Sequence, residues 1–330
     1  MGKFASLTLS RIRIHSLASF AALLALSTSL LVASSATAAV SSAPVARTGA
    51  ASNVTFDSAL LSGSIDPRGQ ATNFVFEYGP TRTYGTATPL AAAGGGTAAV
   101  KVTQAIAGLQ PNTVYHYRLL AFGGSATTRG EDRTFQTPKI PLSLALAGAP
   151  NPDLFGSPFF VDGNLSGTNG GGRQVVLKIN PFPYLGGFKV LGNPQVTSAT
   201  GAFSFPVVGL LENAQLQVTT VKQPIVSSAI VLENVAVRVA FHAVHARRRG
   251  FFRLYGTVAP AEAGALVGFQ LLQPGHRSVN EGGTVVRAAT STVSSFSRVM
   301  RVPHHGLYRA LVKISDGAHV SNYSAPFLIR

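Results

Sequence analysis

Residues 109–118, LQPNTVYHYR, decide the fold. A leucine, a proline two residues on, and then Tyr115 opening an alternating run have the form of a tyrosine corner. In that device a phenol at the start of a strand reaches back to an upstream backbone group and pins the turn between two sheets. Leu109 and Tyr115 are therefore expected to be structural, packed and hydrogen-bonded. The reading calls for a sandwich of antiparallel sheets.

The neighbouring sequence supplies the strands. Residues 59–65 (ALLSGSI) read as one, with Leu61 and Ile65 on one face. Asp66-Pro67-Arg68-Gly69 is a turn, in which proline presets φ and glycine supplies the positive φ. Residues 72–78 alternate, with Phe74, Phe76 and Tyr78 on one face and Asn73, Val75 and Glu77 on the other. Residues 100–107, 113–122 and 129–137 follow as further strands.

The stretches LLSGSIDPRGQATNFVFEYGPTRTYG (60–85) and LQPNTVYHYRLLAFGGSATTRGEDRTFQT (109–137) resemble a bacterial fibronectin type III domain of the kind common on secreted actinobacterial proteins. The resemblance covers residues 40–137, under a third of the chain. It implies binding, spacing or adhesion and brings no catalytic residues. One departure is that no Trp stands in the second strand, so Leu60 and Leu61 are expected to fill that core position.

The N-terminus reads as a leader. Lys3, Arg11 and Arg13 precede an apolar run from residue 17 to 32, and Ala36-Thr37-Ala38 gives a small-x-small cleavage site. That is a secretory signal peptide over residues 1–39, its apolar run helical, with cleavage after Ala38 or Ala39 and an extracellular, cell-wall-associated destination. Nothing downstream is long and apolar enough to span a bilayer. The chain has no cysteine. Each unit must therefore hold itself together by apolar burial, which about 100 residues of sandwich can provide.

With 34 glycines, 19 prolines and few charged residues, the rest of the chain also reads all-β, and its length suits three units. Residues 138–141 serve as a linker. Units at 138–237 and 238–330 then echo each other: Leu165-Ser166-Gly167 pairs with Leu254-Tyr255-Gly256, Val176 with Val267, Phe203 with Phe296, and Val218 with Val312. Similar steps suggest one immunoglobulin-like topology used twice. Residues 256–267 (GTVAPAEAGALV) and Gly306-Leu307-Tyr308-Arg309 resemble secreted bacterial Ig-like surface repeats, which implies structure rather than a reaction.

Charge is uneven. Residues 40–137 carry seven basic and five acidic side chains, residues 138–237 five and four, and residues 238–330 twelve and three. Six of the eight histidines lie in the last unit, and all its basic residues but Lys313 are arginine. Arginine pairs phosphate or carboxylate through a planar fork. Arg247, Arg248, Arg249, Arg253 and Arg301 are the candidate polyanion-binding residues, to be weighed against a merely solvated basic surface.

Catalysis finds no constellation. No Gly-x-Ser-x-Gly elbow occurs, and no thiol is available. Glu131-Asp132 is the only adjacent acidic pair; neighbours on a strand point oppositely, and a solvated edge is expected. Residues 167–173 (GTNGGGR) lead into a strand, so they read as a hairpin loop rather than a phosphate cradle. His242 and His245 fall on opposite faces, and His304-His305 precede Gly306 in a turn, so neither pair is expected to hold metal.

The sequence thus predicts three tandem fibronectin type III or immunoglobulin-like sandwiches in a secreted, non-catalytic protein without cofactor. Its expected role is surface binding, adhesion or spacing, with the basic last unit on an anionic cell-wall polymer or polysaccharide. Another surface protein is a further partner, no specific nucleic acid is expected, and no membrane span remains after cleavage. The competing role is a carbohydrate-binding accessory of polysaccharide-degrading enzymes, which would need exposed aromatics aligned for sugar stacking. The chain has no Trp.

Overall fold

The computed structural model describes residues 42–148, 151–273, 275 and 278–330. The leader and its cleavage site lie outside them, as do His276 and Arg277. Among the described residues every regular element is a β-strand, and no helix is long and apolar enough to cross a membrane.

The first sandwich is built from β1 (Val45–Thr48), β2 (Ser58–Asp66), β3 (Thr72–Gly79), β4 (Thr86–Ala87), β5 (Ala91–Gly94), β6 (Val100–Ala107), β7 (Val114–Gly123), β8 (Ala126–Arg129) and β9 (Arg133–Gln136). One sheet runs β1-β2-β6; the other runs β4-β3-β7-β8, with β5 also on β3 and β9 also on β7. Leu61 and Ile65 from the first sheet meet Phe76, Tyr117 and Leu119 from the second in one core. Each such side chain, fully buried, contributes about 1.5–3 kcal/mol. Leu61 alone takes the place expected of a tryptophan; Leu60 lies on the opposite face, as the alternation of a strand requires. The expected last strand over 129–137 is divided into β8 and β9 by a one-residue shift in pairing with β7, from Leu120 opposite Arg129 to Tyr117 opposite Arg133, with the Gly130 N–H on the Leu119 carbonyl between them.

Tyr115 anchors this unit. Its hydroxyl accepts the Gln110 N–H at 2.8 Å, and its ring stacks on Phe135 with centroids 5.6 Å apart. Leu109 is buried beside it, with its N–H on the Asp57 carbonyl. Tyr115→Phe keeps the ring and strands the Gln110 N–H, so it should cost about 1–3 kcal/mol. A urea midpoint within error of the unaltered protein would show that this bond contributes nothing.

The second sandwich follows with β10 (Ser143–Leu146), β11 (Asp153–Leu154), β12 (Phe159–Ser166), β13 (Gln174–Pro181), β14 (Lys189–Val196), β15 (Ala202–Val207), β16 (Ala214–Thr220), β17 (Val231–Glu233) and β18 (Val235–Ala236). Its sheets run β10-β12-β15 and β14-β13-β16-β17. The third has β19 (Arg238–His245), β20 (Phe251–Ala259), β21 (Leu266–Leu272), β22 (Val279–Val285), β23 (Arg287–Ala288), β24 (Ser294–Arg301), β25 (Gly306–Lys313), β26 (Asn322–Tyr323) and β27 (Phe327–Ile329). Its sheets run β19-β20-β24-β23 and β22-β21-β25-β26, with β27 also on β25. Each sandwich encloses its own core. All three repeat one arrangement: β1-β2-β6, β10-β12-β15 and β19-β20-β24 in one sheet, with β3 on β7, β13 on β16 and β21 on β25 in the other. That is the two-sheet arrangement of fibronectin type III and immunoglobulin-like domains.

The register corrects the expected internal repeat. Gly163 pairs with Phe203 across β12–β15, and Gly256 pairs with Phe296 across β20–β24. The segment equivalent to Leu254-Tyr255-Gly256 is therefore Val161-Asp162-Gly163, four residues before Leu165-Ser166-Gly167. Val176 also lies outward, and Val175 and Leu177 carry the core on that strand.

Extended chain joins the second and third sandwiches. β11 pairs in parallel with β18, and Ala236 bridges in parallel to Val320. Asn213 donates its backbone N–H to Ala318 and its side-chain amide to Gly317, and accepts the Val235 N–H at 2.7 Å. Arg238 Nη2 donates to Ser157 Oγ at 2.7 Å.

Candidate functional site

The candidate arginines sort by strand alternation. In β20 the inward positions are Phe252, Leu254 and Val258, which leaves Phe251, Arg253, Tyr255 and Thr257 on the outer face. Register then fixes their neighbours. Phe251 stands opposite Arg301, Arg253 between Val244 and Val299, and Tyr255 between His242 and Ser297. Arg248 folds back from the β19–β20 turn until its guanidinium lies 4.6 Å from the Phe251 ring centre. Arg253 lies likewise over Tyr255 at 4.7 Å, and the His242 ring is 5.7 Å from Tyr255.

The turn itself is tight. Phe251 donates its N–H to the Arg248 carbonyl at 3.0 Å, and Gly250 takes a φ of +77°, a conformation that glycine adopts at no steric cost. Arg247 and Arg249 are held at its exposed tip. Of the five candidates, Arg248, Arg253 and Arg301 therefore share one sheet face, while Arg247 and Arg249 stand at its edge. A shallow groove of about 290 Å³ runs along the same face past His242, Arg253, Tyr255, Thr257 and Ser297.

Electrostatics leave this face uncompensated. The third sandwich has three carboxylates, Glu262, Glu281 and Asp316. The ion pairs they make among the described residues are with histidine: Glu281 with His304 at 3.6 Å, and Glu262 and Asp316 with His319. Stacking a guanidinium on a ring leaves its in-plane N–H fork pointing outward, available to an oxyanion.

No protein-family model and no curated protein matches the chain. Among solved structures it is similar to the crystal structure of chicken CNTN1 FN1–FN3 domains, at 11% identity and a TM-score of 0.27, over 86% of this chain and 97% of that one. A marsupial T cell receptor is similar at 12% identity and a TM-score of 0.27, over 85% and 98%. The fold class stands on the strand order.

A second cluster has no counterpart in the sequence reading. Glu262, in the loop after β20, meets Asp316 and His319 of the loop after β25, with one donor atom of each within 4.8 Å of the others. His319 Nδ1 is 2.6 Å from Asp316 Oδ2 and 3.1 Å from Glu262 Oε1, and Nε2 is 2.8 Å from the Leu211 carbonyl of the second sandwich. Burial alone would lower the pKa of His319, but the Asp316 hydrogen bond, the Leu211 carbonyl and the two carboxylate charges raise it. Asp316 is held below the usual carboxylate range: burial pushes it up, and hydrogen bonds from His319 outweigh that. Glu262 is pushed up by burial and by the Asp316 charge. The Asp316-x-x-His319 spacing was visible in the sequence, but Glu262 lies far upstream, so only the fold unites them. Of the histidines considered from sequence, His242 packs on Tyr255 and His245 on Phe252.

Asp132 stays exposed, as expected of a solvated edge, and also gathers the Tyr84 hydroxyl at 3.0 Å and His116 Nδ1 at 2.8 Å, with Arg82 at 3.5 Å. The break between β8 and β9 turns it onto the outer face of β7, where these groups converge.

Proposed function

We propose that the protein is a non-catalytic, surface-acting binding and spacing protein of the cell envelope, and that the outer face of β19, β20 and β24 holds an anionic polymer. The observation that carries this reading is the row of stacked cations, Arg248 on Phe251 and Arg253 on Tyr255 beside Arg301, with the domain's carboxylates engaged elsewhere. An acidic wall polymer or polysaccharide offers repeated oxyanions to such a row. A neutral sugar needs a bare ring face for stacking, and here guanidinium groups lie over the rings of Phe251 and Tyr255. The same holds for Tyr323, under Arg309 at 3.7 Å. At these three rings that favours the anionic partner over the carbohydrate-accessory reading.

The test is co-sedimentation of the purified protein with cell-wall material, or binding to immobilised heparin as a model polyanion. Arg248→Gln, Arg253→Gln and Arg301→Gln combined should remove contacts of roughly 0.3–1 kcal/mol each, weakening low-salt binding about fivefold or more. Binding should fade as salt rises through a few tenths molar, since the Debye length is then well under about 8 Å. The charge-matched control neutralises Lys101, Arg129 and Arg133, all exposed on the first sandwich. Equal losses in the two triple variants would reduce the effect to net charge and sink the site.

A further inference from the structure

We propose that Glu262, Asp316 and His319 form a binding site for a first-row divalent metal, zinc or a close relative, at the junction of the second and third sandwiches.

The argument begins with the His319 ring. Its Nε2 faces the Leu211 carbonyl, which can only accept, so Nε2 carries a hydrogen. That leaves Nδ1 aimed at two carboxylate oxygens at 2.6 and 3.1 Å. A lone pair there would face two anions, so the spot calls for a cation. A proton on Nδ1 supplies a single positive charge between two carboxylates, and the cluster stays one charge short. A divalent ion at the same spot balances both.

The surroundings are arranged as metal ligands usually are. A ligating histidine characteristically donates its other N–H to a carbonyl or carboxylate, which fixes tautomer and ring orientation. Leu211 does that here, and the Phe155 ring packs edge-on against the imidazole with centroids 6.1 Å apart. Asp316 is equally fixed: its Oδ1 accepts the N–H groups of Ala318 and His319 at 3.0 and 2.9 Å, which directs Oδ2 at Nδ1. His319 and Glu262 side chains are only 10% and 14% exposed and Asp316 is 33% exposed, so two of the three ligands are largely buried while water can still reach a bound ion.

One imidazole and two carboxylates suit zinc and its first-row neighbours, and three protein ligands leave a place for water. Bonds of about 2.0–2.1 Å set tetrahedral ligand atoms roughly 3.3 Å apart. The Glu262 contact is near that value already. The Asp316 contact must open by somewhat more than half an ångström, within reach of a small side-chain rotation. Because His319 belongs to the third sandwich and Leu211 to the second, an ion bound here would tie the two together.

The test uses untagged full-length protein, freed of metal by chelation and titrated with zinc, cobalt, calcium and magnesium. Zinc should bind at about one equivalent and raise the melting temperature, and cobalt should give the visible absorption of a low-coordinate nitrogen–oxygen site. Calcium and magnesium should not displace either. Glu262→Gln and His319→Gln should each weaken zinc binding by about tenfold or more, whereas His304→Gln should leave it unchanged. Cobalt spectra of the unaltered protein keep the question open to decision should a variant misfold. No zinc or cobalt bound at micromolar metal, or binding that survives both Glu262→Gln and His319→Gln in folded protein, would overturn the site.

Discussion

Replacing Glu233 by glutamine should stabilise the protein at pH 8 by about 1–3 kcal/mol and change little near pH 5. Glu233 ends β17 with only 1% of its surface exposed, and Asp153 on β11 is 9% exposed. Among the described residues, Glu233 Oε1 and Asp153 Oδ2 are buried without a hydrogen-bond partner. Burial, and then the charge of Asp153, push the Glu233 carboxyl up to about 7 from 4.5, against a smaller opposing pull from the Asp153 backbone N–H. The folded state therefore holds a proton that the unfolded chain has released between those values. Below about pH 4.5 both states are protonated and the group costs nothing. As pH rises toward 7 stability is lost, and above it the native state carries a buried charge without a cation. Glutamine keeps the shape of the protonated acid and offers an amide hydrogen to Asp153. Urea denaturation at pH 5, 6.5 and 8 measures the difference between the two proteins. If that difference stays constant across the range, Glu233 does not titrate in the folded state as described.

The elements that proved legible are those fixed by local pattern. Tyr115 and Leu109 declared the corner through spacing, the alternation at 72–78 matched β3, and the strand read over 100–107 matched β6. Short edge strands such as β4 and β5 carried no such signal, since two to four residues cannot display a period. The arginine face was half visible. Arg247-Arg248-Arg249 stood out as a run, yet only Arg248 reaches the sheet, and the informative pattern was Phe251-x-Arg253-x-Tyr255, which places cation and rings on one face. The metal-like cluster and the Glu233–Asp153 pair were not visible, because each joins residues more than fifty positions apart through contacts that only folding creates.

Gly256→Ala should cost about 3 kcal/mol or more, although it adds one methyl group to a strand. Gly256 lies in β20 between Phe241 of β19 and Phe296 of β24. A Cβ there would strike the Ala240 carbonyl and the tip of the Phe296 ring. The first obstacle is main chain, so relief requires parting β19 from β20 and breaking ladder hydrogen bonds. The same requirement recurs in each sandwich. Gly163 faces the Ala145 carbonyl and the Phe203 ring, and Gly63 faces the Arg47 carbonyl and Leu119. In all three the glycine follows a buried aliphatic residue by two, in Leu61-Ser62-Gly63, Val161-Asp162-Gly163 and Leu254-Tyr255-Gly256. A close approach of β1 to β2, of β10 to β12 and of β19 to β20, with a large side chain facing the glycine, thus accounts for a three-residue signature better than turn chemistry does. Gly163→Ala should be comparably harmful. Gly250→Ala, in an open turn at positive φ, should cost only about 1 kcal/mol. Urea denaturation combined with amide hydrogen exchange in β19 and β20 separates local parting of the strands from global unfolding. A loss below 1 kcal/mol for Gly256→Ala would mean that the two strands can separate freely, and that the shared glycine is not what sets their spacing.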